Sequence, residues 1–203
     1  MGYYIRVLGT QDPDIHIDDL IQSLTSNGLV AKFEFDTRER PEKWTVLNIL
    51  NREGTPLAQL ERNPVVEGEL GQEELDEFRE DVQHYKPLSA VDWLSAYFDS
   101  VKVIYAFQML GASFKDGNFE VISAIKQMIW NRTDGILQAD NEGFSNEDGD
   151  HILWQFEDDV EGEWRCAVRN MTGQWEKFEM ELGDVKQREE FKNGKVPDGA
   201  KRL

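Results

Sequence analysis

Ten residues, Val101–Leu110 (VKVIYAFQML), limit the folds open to this chain more than any other stretch. At strand period, Val101, Val103, Tyr105, Phe107 and Met109 make one face. Ile104, Ala106 and Leu110 make the other face mostly apolar too. A strand apolar on both faces needs a neighbour on each side and cover above and below. It is expected at the centre of a sheet that carries helices.

The rest of the chain supplies those parts. Tyr3–Leu8 alternates as a strand, and Ile17, Leu20, Ile21 and Leu24 recur at helical spacing before Asn27-Gly28, a pair suited to ending a helix. Leu29–Asp36 reads as a strand with one wet face. Trp44–Leu50 and Thr55–Arg62 flank the turn NREG and predict a hairpin. Glu73–Tyr85 and Ala90–Ser100 read as helices, the second with Ser89 as its N-cap. Asn118 is the expected cap of a helix built on Ile122, Ile125, Met128 and Ile129. Further strands follow at Gly135–Ala139, Ile152–Phe156, Glu163–Arg169 and Gln174–Leu182, the last two joined by NMTG. Asp184–Lys192 reads as a short helix with Val185 and Phe191 inward.

The class is α+β, with mixed or antiparallel sheets and flanking helices. The order strand, helix, strand, hairpin, helix occurs over 3–85 and again over 101–192, which predicts two similar β-α-β-β-β-α units. The expected division is 1–86, a connecting helix 87–100, a second unit 101–194 and a loose tail 195–203, with one compact domain as the alternative.

Charge is the second constraint. The net charge is −18, from 22 basic and 40 acidic residues. The first hundred residues hold 9 basic and 20 acidic, the remainder 13 and 20, so both parts are acidic. Such a field repels phosphate backbones and anionic lipid headgroups, so nucleic acid and membrane are not the expected partners. No Lys or Arg lies between Arg132 and Arg165, an interval holding eleven acids. Aromatic and β-branched residues alternate among them, so the acids belong to turns of a sheet rather than to a disordered tail. Two turns carry most of them, Asp140–Asp150 (DNEGFSNEDGD) and Glu157–Glu163 (EDDVEGE).

Catalytic patterns are missing. Cys166 is the single cysteine, and it cannot form an intramolecular disulfide. No nucleophile elbow, phosphate-binding loop or dinucleotide fingerprint is present. The acidic turn does not follow the EF-hand spacing. His16, His84 and His151 are too dispersed for zinc. Neither cofactor nor metal is expected. The N-terminus has no signal-peptide pattern, so a cytoplasmic location is the default.

The residues singled out for binding are Asp140, Glu142, Glu147, Asp148, Asp150, His151, Asp158, Asp159 and Trp175. The carboxylates would meet a basic surface, His151 would relay protons beside them, and Trp175 would be an exposed contact. The expected function is a non-catalytic interaction protein that binds a basic protein, in the manner of an immunity or inhibitor protein. The alternative is an enzyme or small-ligand binder that uses carboxylates and Trp residues in a cleft between the units.

Overall fold

The computed structural model describes residues 2–115 and 117–203. In chain order the elements are β1 (Tyr3–Gly9), α1 (Ile17–Ser26), β2 (Lys32–Glu34), β3 (Val46–Leu50), β4 (Pro56–Pro64), α2 (Leu70–Asp81), α3 (Leu88–Phe98), β5 (Val103–Met109) and α4 (Asn118–Thr133). There follow β6 (Gly135–Ala139), β7 (Gly143–Ser145), β8 (His151–Trp154), β9 (Glu163–Arg169), β10 (Trp175–Glu181), α5 (Val185–Lys192) and β11 (Lys201–Arg202). The fold is mixed α+β with largely antiparallel pairing. No helix among the described residues is long and apolar enough to cross a membrane.

The chain separates into two compact units, neither of them continuous. One comprises Met1–Gln72 and Val101–Gly135, the other Glu73–Ser100 and Ile136–Leu203. This differs from the sequential cut expected around 87–100. The cause lies in β5, whose residues are all buried except Gln108. Both of its edges are paired, with β1 on one side and β4 on the other, each antiparallel over seven residues. The two-faced apolar run thus goes to the strands that can flank it, and these come from the N-terminal segment.

In the first unit the strands run β1-β5-β4-β3-β2. Helix α1 buries Ile17, Leu20 and Leu24, while Ile21, expected on the same stripe, is 44% exposed. Helix α4 buries Val121, Ile122, Ile125 and Ile129, spacings of three and four that make one face. Gly117, not Asn118, occupies its N-cap position, and Asn118 instead donates to the Ala112 carbonyl. Trp44 lies wholly inside, donating from Nε1 to the Ile15 carbonyl at 2.9 Å and meeting Tyr105 at a ring distance of 5.9 Å. Burial pushes the Tyr105 phenol up to about 12. The strand expected over Leu29–Asp36 shortens to Lys32–Glu34, an edge strand paired with β3.

In the second unit the order is β11-β10-β9-β8-β7-β6. All pairs are antiparallel except β8 with β9, which run parallel and meet at His151 and Cys166. Strand β7 arises inside the stretch expected as the loop Asp140–Asp150. Three residues are too few to show alternation, yet Phe144 is fully buried against Phe78 and Phe98 at 5.6 and 5.8 Å. Gly143 makes that strand feasible. Its φ is 118°, and a Cβ there would overlap the Leu153 carbonyl oxygen.

Trp154, Cys166, Val168, Phe178, Met180, Leu182 and Phe191 form one buried cluster. Phe191 reaches it from α5, but Val185 does not, being 66% exposed. Arg188, three residues before Phe191, takes the inward position instead. Pro87 rather than Ser89 stands at the N-cap of α3 and gives no side-chain cap. The tail expected to be loose is tied down, since β11 pairs with β10 and both Val196 and Ala200 pack on the cluster.

Candidate functional site

The first acidic turn is largely neutralised from within. Asn146 shapes it, with Oδ1 accepting from the amides of Asp148 at 3.1 Å and Asp150 at 2.9 Å. That turn points Asp150 inward, where its side chain has no exposure. Arg165 Nη2 bonds its Oδ1 at 2.7 Å, and Lys177 Nζ lies 3.4 Å from Oδ2. Lys177 also bonds Asp148 at 2.7 Å, and this bond, foremost, holds the ammonium above its ordinary value. Asp150 is therefore a buried ionic strut and not a contact for a partner. Asp140 and Glu142 sit half-buried in the β6–β7 turn with interactions of their own, and Glu147 is exposed.

His151 is corrected as well. It is 2% exposed and ringed by Phe156 at 4.9 Å, Phe191 at 5.9 Å and Trp154 at 6.5 Å. Burial alone pushes its pKa down to about 3, so it is neutral at physiological pH. A neutral ring without access to water does not relay protons. Trp175, expected on the wet face, is half-buried. It packs edge-on against Trp93 at 5.1 Å, and the Arg169 guanidinium lies 6.0 Å from its ring.

Cys166 is fully buried, and burial, aided by the Asp150 carboxylate, pushes its thiol up. A thiol reagent should leave the folded protein unlabelled at pH 8 and label it once in denaturant. Mass spectrometry before and after unfolding checks this, and rapid labelling of the native protein would contradict the burial.

The second acidic turn keeps its carboxylates outward. Glu157, Asp158, Asp159, Glu161 and Glu163 are all exposed. Only Asp158 among them makes an ion pair among the described residues, at 3.4 Å to Arg188. Arg188 is a residue that sequence reading missed, because KQREEFK looks like a solvated helix. Its guanidinium is 6% exposed and sits 5.1 Å from the Trp154 ring. It donates to the carbonyl of Leu182 at 2.8 Å and to that of Asp158 at 2.8 Å, fixing the turn by its backbone. The amide of Gly162 donates to Glu181 Oε1 at 2.6 Å, and its carbonyl accepts from the amide of Leu182 at 2.8 Å. Val160 packs on the buried cluster. Beside this turn Trp164 is 39% exposed and lies edge-on to Phe156 at 5.5 Å.

Of the nine residues singled out, Asp148, Asp150 and His151 thus fall at or beside the ionic strut, and Asp158 and Asp159 in the second turn. Trp175 packs on α3. Among the described residues no group of three or more His, Cys, Asp or Glu is placed to hold a metal ion. Compared with known protein families, with curated proteins and with solved structures, the chain matches none.

Proposed function

We propose that the chain is a non-catalytic interaction protein whose Glu157–Glu163 turn docks a basic protein, as an immunity or inhibitor protein would. One observation carries this reading. The turn holds five exposed carboxylates, four of them without an ion pair among the described residues, on a backbone pinned by the buried Arg188. Preordered charge loses little entropy on binding. It also steers a cationic partner in and weakens with salt. The neighbouring Trp164 offers the apolar anchor that such interfaces favour.

The test is a variant with Glu157→Lys, Asp159→Lys and Glu161→Lys. These three side chains make no hydrogen bond or ion pair among the described residues, so its melting temperature should stay close to that of the native protein. Its affinity for a basic protein captured at low salt should fall by roughly 100-fold or more. Undiminished capture by a folded triple variant would remove the turn from the interface.

The cytoplasmic location and the internal duplication belong to the same proposal. A single cysteine with no disulfide partner is in keeping with a reducing compartment. For the duplication, β1 and β5 are antiparallel neighbours, and the helices that follow them, α1 and α4, pack together. That is the arrangement expected of two copies of one strand–helix element.

A further inference from the structure

The second unit also carries a cationic cleft, out of keeping with a chain of net charge −18. Two adjoining cavities, of about 250 and 310 Å³, share Lys86 and Lys192 in their walls. The first is lined by Lys86, Arg169 and Lys192, by the start of α3 (Pro87, Leu88, Ser89) and by Asn193 and Gly194. No carboxylate is among these lining residues. Lys86 and Arg169 make no ion pair among the described residues, and Lys192 has only Glu189, 63% exposed, at 3.9 Å.

Some polar groups in the first cavity lack partners among the described residues, while Arg169 Nε donates to the Gly173 carbonyl at 3.0 Å. The α3 N-terminus has no side-chain cap, and the amides of Leu88 and Ser89 have no acceptor among the described residues. Ser89 Oγ is buried and makes no hydrogen bond among the described residues. Three cations, two free amides at a helix start and an unsatisfied hydroxyl are the donor set of an oxyanion site.

The second cavity differs in character. Tyr85, Trp154 and Phe156 give it aromatic walls, and Gln155 and His84 add polar groups. Lys192 Nζ lies 5.2 Å from the Trp154 ring. Asp81, held at 2.8 Å by Gln155, keeps this side less positive than the first. Together the cavities fall in the size range of small-ligand sites.

We infer that this cleft binds a small anionic ligand made of a phosphate and a planar ring, the class of a mononucleotide. The phosphate sits among Lys86, Arg169, Lys192 and the α3 amides, and the ring lies along Tyr85, Trp154 and Phe156. A polyanion is disfavoured, because the rest of the surface repels it. The second cavity adjoins the acidic turn through Phe156, but the inference uses none of that turn's carboxylates and stands or falls separately.

Titration calorimetry with AMP, inorganic phosphate and adenosine tests it on the full chain. AMP should bind measurably below millimolar concentration and more tightly than either half. Lys86→Gln with Lys192→Gln should weaken AMP and phosphate by roughly tenfold or more, since each removes a charge-assisted contact. Tyr85→Ala should weaken AMP and leave phosphate unchanged. Circular dichroism verifies that each variant is folded. No binding of AMP or phosphate at millimolar concentration overturns the inference, as does equal binding by the double-lysine variant. Phosphate binding as tightly as AMP overturns the planar-ring half.

Discussion

Between pH 6.5 and pH 3 the folding equilibrium constant should fall about tenfold for each pH unit through His151 alone. In the unfolded chain this histidine takes up a proton near its ordinary value of 6.5, whereas burial holds the folded pKa down to about 3. Within that window the unfolded state binds more protons. Stability is therefore complete above 6.5 and is lost as the pH falls towards 3, by roughly three orders of magnitude in all. Carboxylates titrate in the same range, so the quantity to measure is the difference between the native protein and His151→Phe. Phenylalanine keeps a ring among Phe156, Phe191 and Trp154, and it removes the buried Nε2, which has no hydrogen-bond partner among the described residues. Urea denaturation should give a constant difference in stability above pH 6.5 and, below it, a steeper loss for the native protein. Parallel pH profiles would mean that the ring is hydrated in the folded state.

Replacing Arg165 and Lys177 together by Met should destabilise the protein by about 3–5 kcal/mol, because Asp150 is then a buried carboxylate without a counter-charge. Methionine retains most of the long apolar stem, which isolates the charge effect from packing. Each single variant should cost clearly less, since the other cation remains, at 2.7 Å for Arg165 or 3.4 Å for Lys177. Chemical denaturation of the two singles and the double gives the coupling directly. Losses that simply add, at about 1 kcal/mol or less in total, are what exposed surface pairs show. They would place Asp150 in water and return it to the acidic surface.

The local structure was written plainly in the sequence where alternation was long. Strand β9 begins and ends where the pattern of Glu163–Arg169 does, and β5 is central and covered as its two apolar faces require. The turn NMTG joins β9 and β10 with Gly173 at φ 82°. What alternation omits is which segments supply the cover. The strand flanked by β1 and β4 carries the same pattern whichever half of the chain it joins, so the two units could not be drawn from it.

The candidate site was legible only as charge. Nothing in spacing separates Asp150, with no exposure, from Asp159, which faces water. The difference is made by Arg165, Lys177 and Asn146, whose proximity is a property of the folded sheet. Arg188 was invisible for the same reason, since a helix of eight residues with five charges reads as solvated. The cleft lay deeper still, because Lys86, Arg169 and Lys192 are dispersed along the chain and none follows a motif.

The interleaving of the two units bears on how the chain emerges from the ribosome. Strands β1 and β4 are finished by Pro64, but the strand that lies between them ends at Met109. At about 5–20 residues per second, synthesis leaves a gap of roughly two to nine seconds. During it Val7, Leu57 and Leu60 belong to sheet edges with no mate, and a nascent chain in that condition is exposed to clumping with its neighbours on a crowded polysome. Stopping translation at residue 72 or 86 would prolong that state indefinitely, so excised halves of this protein are poor candidates for independent expression.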